Sequence, residues 1–311
     1  MSFKVGSINM YKFSLQSNEE INKDLQKIAN VILEEEFDIV ALQEVFNDTA
    51  VHRLLDKLGA SWECVWEAPI SKSRQSAEGY AFIWNTRRFR LATTAKRGEK
   101  SQETENTIRT FSPRIHSTYK EDEFLYRGKL IRDPFFARFE ALYGWYEVRL
   151  INTHIIYNEA SDKTSRKHEL SILADIYSRL EDKQYRNSRR AYTILLGDYN
   201  LSLLDIDKNA VNGEAIIEVK GRTDKDKKVL VTIQDELTTL KARSPKEPDI
   251  PATGYANSFD HFTLDKKNFR HVSYTASRID SVHSKYWNGD FELHKKEFSD
   301  HVPISLTVEF R

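Results

Sequence analysis

The chain is poor in cysteine: Cys64 stands alone, which excludes an internal disulfide framework. It also lacks net charge, with Lys plus Arg and Asp plus Glu at 47 each in 311 residues. Proteins that grip a polyanion by charge alone carry a basic excess, so the balance argues against tight, static binding of that kind. No run of about 18 uncharged apolar residues occurs, and no segment reads as a membrane-spanning helix. Met1-Ser2-Phe3-Lys4-Val5 passes straight into a strand-like pattern without a signal-peptide core. Low-complexity tracts, repeats and interdomain linkers are missing too. Together these absences point to the cytoplasm, or to secretion if a leader has been removed.

What is present suffices for a deep core. Apolar residues make up 40% of the chain, including 17 Phe, 14 Tyr and 5 Trp. At this length folding buries roughly 75% of the unfolded surface. Although 311 residues is about twice the usual domain, large β-sandwiches reach that size as one unit, so a single domain over 1–311 is expected.

Residues Phe3 to Asn9 alternate like a half-buried strand. Ser17-Asn18-Glu19-Glu20 has the form of a capping box, followed by Ile21, Leu25, Ile28 and Ile32 on one helical face. Asp38 to Leu42 reads as a short buried strand. Further strands are predicted at Tyr80–Trp84, Phe135–Ala141, Tyr146–Thr153, Tyr192–Leu196, Phe259–Leu264 and Val302–Val308. A second amphipathic helix carries Leu170, Leu173, Ile176 and Leu180. Many strands with a few helices suggest a layered α+β sandwich. Thr93–Thr107 and Asp205–Lys228, rich in charge and poor in apolar residues, are expected to be surface excursions. The five tryptophans, Trp62, Trp66, Trp84, Trp145 and Trp287, are expected in the core or against a sheet.

The apolar strands end abruptly in polar residues. The first ends at Asn9, Ile39-Val40-Ala41-Leu42 runs into Gln43-Glu44, and Val148 to Thr153 delivers His154. Ile194-Leu195-Leu196 runs into Gly197-Asp198-Tyr199-Asn200, whereas Ser299-Asp300-His301 opens the last strand. If that strand is antiparallel to its neighbours, its start lies beside their ends. One rim then collects three carboxylates, two amides and two histidines. Taken singly, such an Asp or Asn is a turn former, Glu44 a strand end or helix cap, and each His structural. Jointly, hard oxygen donors suit Mg²⁺ or Mn²⁺, and histidines beside them handle protons at neutral pH.

At these residues the sequence resembles the endonuclease/exonuclease/phosphatase superfamily, in its deoxyribonuclease I-like branch. The matching elements are Ile8-Asn9, Leu42-Gln43-Glu44-Val45, Glu78-Gly79-Tyr80, Arg132-Asp133-Pro134, Thr153-His154, Gly197-Asp198-Tyr199-Asn200, Phe259-Asp260-His261 and Ser299-Asp300-His301-Val302-Pro303. The resemblance implies a four-layered α/β/β/α sandwich of two packed, mostly antiparallel sheets with a catalytic cleft at one edge. It implies Glu44 as principal metal ligand assisted by Asn9, with Asp198 and Asn200 positioning phosphate and water or holding a second ion. Asp300 would orient His301 or complete the metal shell. Two pairs, Glu78 with His154 and Asp260 with His301, would flank the phosphate, and Arg132 would reach one of its oxygens.

The implied cofactor is Mg²⁺, with Mn²⁺ as substitute and Ca²⁺ as an auxiliary or structural ion, and a bound dication supplies the charge that the composition lacks. The implied activity is metal-assisted hydrolysis of DNA, with a protein inhibitor or regulator as further partner. The alternative keeps the chemistry on a phospholipid headgroup, inositol phosphate or other small phosphoester. Phe46 and Ser76 stand where the secreted enzyme grips the minor groove, so those contacts are not carried over. His261 is a rival to His301. Basic clusters at Lys72-Ser73-Arg74, Arg87-Arg88, Lys96-Arg97 and Arg186 to Arg190 are candidate substrate contacts, with Arg74 best placed because it precedes Glu78.

Overall fold

Strand parity organises the molecule. The structure, a computed structural model, describes residues 1–15, 22–67, 78–92, 130–156, 163–183, 189–220, 227–244, 246 and 250–311. One sheet contains β1 (Ser2–Phe13), β2 (Ile39–Val45), β3 (Trp62–Glu67), β4 (Gly79–Asn85), β12 (Val272–Arg278) and β13 (Ile304–Phe310), in the order β12-β13-β1-β2-β4-β3. The other contains β5 (Phe89–Leu91), β6 (Phe135–Ala141), β7 (Tyr146–His154), β8 (Arg190–Asp198), β9 (Glu214–Lys220), β10 (Lys227–Ile233) and β11 (Asp260–Asp265), in the order β5-β6-β7-β8-β11-β10-β9. Only β1 with β2 and β7 with β8 pair in parallel; the other described pairings are antiparallel.

The sheets pack face to face through Phe3, Val5, Ile39, Ala41, Phe82, Val148, Leu150, Ile194, Leu196, Phe262 and Leu264. On the outer face of the first sheet lie α1 (Leu25–Glu34) and α2 (Asp48–Leu58), buried against Ile8, Val40 and Leu42. On the outer face of the second lies α3 (Lys163–Glu181), through Leu170, Leu173 and Ile176 against Ile151 and Leu195. This is the four-layered sandwich that the resemblance implies. Short helices α4 (Leu203–Ile206), α5 (Lys266–Phe269) and α6 (Phe291–Glu297) sit in connections.

Several expectations need correction. Asp205–Lys228 is not a bare excursion: it includes β9, which pairs with β10 in a hairpin closing the edge of the sheet. Helix α1 starts at Leu25 with Asp24 as its cap, accepting from the Lys27 amide. The Ser17-Asn18-Glu19-Glu20 box lies outside the described residues, as do Ile21 and Thr93–Thr107. Trp145 is 75% exposed at the tip between β6 and β7, under the Arg189 guanidinium. Helix α2 and strands β3, β5 and β12 add to the expected elements.

Candidate active site

Because side chains alternate along a strand, each face is a sequence of every second residue. On the inter-sheet face, β1 reads Phe3, Val5, Ser7, Asn9; β2 reads Ile39, Ala41, Gln43; β7 reads Val148, Leu150, Asn152, His154; β8 reads Ile194, Leu196, Asp198. The apolar core therefore gives way to a polar rung and then to an ionisable rim. In the rung, Gln43 Nε2 donates to Ser7 Oγ at 3.1 Å and Asn152 Oδ1 at 2.7 Å, and Asn152 Nδ2 donates to the Leu42 carbonyl at 2.9 Å. These bonds tie the two sheets together directly beneath the site. Strand direction completes the rim: β1, β2, β7 and β8 end there, whereas β4 and β11 begin there, and His301 precedes β13.

The rim holds two carboxylate–imidazole pairs. Glu78 Oε1 lies 2.5 Å from His154 Nδ1, and Asp260 Oδ2 lies 2.8 Å from His301 Nδ1. The other nitrogen of each ring, Nε2, stands 3.6 Å from the same atom, Asp198 Oδ2. Asn9 Nδ2 donates to that oxygen and to Glu44 Oε1, both at 3.1 Å, which links the sheets across the cleft. Asn9, Asp198, Asp260, Asn200, Glu78, His154 and His301 are all buried; Glu44 is half-buried.

Backbone conformation is unusual at these positions. Glu44 and Asn200 have φ of +55° and +50°, and Tyr11 and Lys12, just beyond Asn9, have +44° and +58°. Such strained geometry clusters at functional sites. Gly197, at φ +134°, has no alternative, since a Cβ there would sit 1.9 Å from the Thr153 carbonyl oxygen.

Burial and pairing shift the protons. Burial opposes charge on His154, but the Glu78 bond and charge outweigh it and raise its pKa. Burial likewise opposes charge on His301, and Asp260 followed by Asp198 drives its pKa well above the usual value. Burial pushes Asp198 up to about 6, with Asp260 adding to it and His301 and His154 opposing. Glu78 would be raised by burial, but His154 and Arg132 hold it below the usual range.

The remaining expected residues divide. Asn200 donates its amide N–H to Asp198 Oδ1 at 2.9 Å and Nδ2 to the Ile155 carbonyl at 2.7 Å. Arg132 is paired with Glu78, which therefore bridges the guanidinium and His154. Asp300 faces Lys295 at 3.6 Å, and the carboxylate hydrogen-bonded to His301 is Asp260, not Asp300. His261 turns to the opposite face of β11, its ring nitrogens 2.8 and 2.7 Å from the Gln234 and Leu201 carbonyls. Burial lowers its pKa and parity removes it from the rim. Arg87, Arg88, Arg189 and Arg190 lie at the other end of the sheets; β8 alone separates Arg190 from Asp198 by about 26 Å at ~3.3 Å per residue. Arg74 and Ser76 lie outside the described residues, as do Lys72, Lys96, Arg97 and Arg186.

Three site residues had no expected role: Ser299, although it opens the Ser299-Asp300-His301-Val302-Pro303 motif, Asn152 and Glu169. Ser299 Oγ donates to the Asn9 carbonyl at 2.6 Å and accepts from the His301 amide at 3.0 Å, bracing both. Asn152 lies two residues before His154, so parity alone identifies it as facing the rim. Glu169 on α3 is buried near Arg132 and His154, and burial raises it to about 7; no sequence signal marks it.

Oxygen donors at Glu44 and Asp198 suit a hard dication. Asp198, Asp260 and His301 also place ligand atoms within 4.8 Å of one another. As placed, Asn9 orients these carboxylates, because its Oδ1 already accepts from the Tyr11 amide at 3.0 Å and its Nδ2 faces them.

Two packed mixed sheets flanked by helices give the chain the fold of the endonuclease/exonuclease/phosphatase proteins, as the motifs imply. Among solved structures, the chain is similar to an endonuclease/exonuclease/phosphatase family protein from Bacteroides thetaiotaomicron (TM-score 0.51, 13% identity, 100% of this chain and 98% of that one). It is similar to ANGEL2, a 2′,3′-cyclic phosphatase (0.57, 13%, 99% and 96%). It is also similar to D. rerio TDP2 (0.53, 14%, 99% and 99%). No family model matches the chain, and no curated protein matches it. No described helix is long and apolar enough to cross a membrane.

Proposed function

We propose that the chain is a divalent-metal-dependent phosphodiesterase, deoxyribonuclease I-like in chemistry, that hydrolyses nucleic-acid strands. The observation carrying this reading is that two carboxylate-backed imidazoles present their Nε2 atoms to one buried oxygen, Asp198 Oδ2, each at 3.6 Å. A phosphoryl group seated at Asp198 then has one imidazole on each side. The neutral ring takes the proton of the attacking water. The protonated ring donates to the oxygen that leaves as the P–O bond breaks, each transfer contributing on the order of 10²–10⁴-fold. Glu78 and Asp260 fix the Nδ1–H tautomers, leaving Nε2 for this work. Asn200 holds Asp198 through its backbone amide, and Arg132 supplies positive charge beside the Glu78–His154 pair.

Glu44 and Asp198 would hold Mg²⁺ or Mn²⁺, with Asn9 orienting them and Asp300 in the outer shell. When bound, such an ion neutralises phosphoryl charge and lowers the pKa of water. Support for a nucleic-acid substrate comes from two neighbours of the same fold: the D. rerio TDP2 structure holds a single-strand DNA product, and ANGEL2 is complexed with adenosine-2′,3′-vanadate. A second reading, a small phosphoester, draws on a cavity of about 660 Å³ lined by Arg166, Ser202, Asn257 and Phe259, whose lining reaches Phe259, the residue before Asp260, but none of the rim side chains. The deciding experiment incubates the protein with Mg²⁺, Mn²⁺ or chelator and supercoiled DNA, RNA, a sphingomyelin analogue and a phosphomonoester, with Asp198→Ala as blank. Metal-dependent cleavage of DNA or RNA is expected; turnover of the small esters alone would favour the second reading.

A further inference from the structure

Three lysine side chains converge on one ring beside the rim. The ammonium groups of Lys12, Lys23 and Lys295 lie 5.3, 5.2 and 5.3 Å from the centre of the Tyr11 ring. They come from three separate elements: the end of β1, the segment leading into α1, and α6. The cluster is fastened to the site itself. The Tyr11 amide donates to Asn9 Oδ1 and the Lys12 amide to Glu44 Oε2, both at 3.0 Å. Asn22 Nδ2 donates to the Lys12 carbonyl at 2.8 Å, which holds the segment carrying Lys23 against the strand end.

In a chain of zero net charge, three cations around one phenol ring are a local excess. Two described carboxylates act on Lys23, Asp300 and Glu44, and Lys295 Nζ is 3.6 Å from Asp300. Both acids are expected metal-site residues, so a dication bound there draws on the charge that now compensates the lysines. The lysines then need an anion.

We propose that Lys12, Lys23 and Lys295, gathered on Tyr11, form a second anion subsite that takes the phosphate adjacent to the scissile one in a nucleic-acid strand. The inference rests on the phosphodiesterase reading and specifies its substrate as a chain of phosphates. With cations over Tyr11, the ring acts as a spacer that sets the three charges apart, not as a platform for stacking a base. Metal and strand bind with positive coupling, because each relieves a repulsion that the other leaves uncompensated.

The test compares the intact protein with its Lys12→Ala/Lys23→Ala/Lys295→Ala variant and the corresponding triple Arg variant, all checked for unchanged melting temperature. Binding of a labelled phosphorothioate oligonucleotide is followed by anisotropy over a KCl series, with Mg²⁺ and with chelator. Hydrolysis of bis(p-nitrophenyl) phosphate, which has no adjacent phosphate, is measured in parallel. The Ala variant is expected to bind the strand at least about tenfold more weakly, with a salt slope shallower by roughly 0.7 per lost phosphate contact. Mg²⁺ should tighten the strand less in that variant, its small-diester turnover should stay within about twofold, and Arg should restore binding. Unchanged affinity and slope would overturn the subsite, as would equal loss on the small diester. If no diester is turned over with any dication while the strand still binds through the lysines, the catalytic reading falls and the subsite stands.

Discussion

Asp198 Oδ2 is the atom on which both imidazoles, and Asn9 from the opposite sheet, converge. Removing either ring leaves a phosphate with only one proton-transfer group. His154→Ala and His301→Ala are each expected to lower turnover at least about 100-fold with the fold intact; near-normal rates in either would remove that residue from the chemistry. Both rings are raised by their carboxylates above the ordinary 6.5, so the one acting as base becomes neutral only at higher pH. The acidic limb of kcat/KM should therefore lie above pH 6.5. Of Glu78→Gln and Asp260→Asn, the one backing the base should move that limb downward by about one unit or more. A limb that stays fixed in both variants would show that neither pair supplies the base.

At the scale of elements, the site was legible because alternation and strand direction are both written in the chain. Val148, Leu150, Asn152 and His154 share one face, as do Ile194, Leu196 and Asp198, and each apolar run stops where the cleft begins. The antiparallel start of β13 was the remaining condition, and Ile304 pairs with Ser7 as it requires. The β9–β10 hairpin was harder to read because an edge strand buries one thin face: Ala215 is buried whereas Ile216 is 39% exposed, and charged residues surround both. Trp145 misled for a similar reason, since a hairpin tip has no layer above it. Asp300 adjoins His301 in sequence, but adjacent residues diverge on an extended backbone, and the partner is Asp260 at the start of β11, the pairing that the resemblance implies. Gly197 shows how closely β7 and β8 approach: Gly197→Ala should cost about 3 kcal/mol or more, read as a lower urea midpoint. A wild-type midpoint would mean that the Thr153 carbonyl moves aside freely.

For the whole molecule, the rim gathers buried ionisable groups whose protonation is linked to folding. In metal-free protein the folded-state pKa values of His154 and His301 exceed 6.5, so their pairs stabilise fully below that pH and lose stability as pH rises through the raised values. Asp198, raised from 3.8 to about 6 chiefly by burial, acts in the same direction between those two values. The chelated protein should therefore melt at progressively lower temperature from pH 6.5 to 9, and a His154→Asn/His301→Asn variant should show a flatter curve. A melting temperature that rises over that interval would contradict the pairing.

The most direct measurement is anomalous scattering from crystals soaked in Mn²⁺ at millimolar concentration. The account predicts a peak on the Glu44 carboxylate, in the space shared with Asn9 and Asp198 and on the same rim as both imidazoles. Manganese bound only at a site remote from Glu44 and Asp198, or none at all, would contradict it.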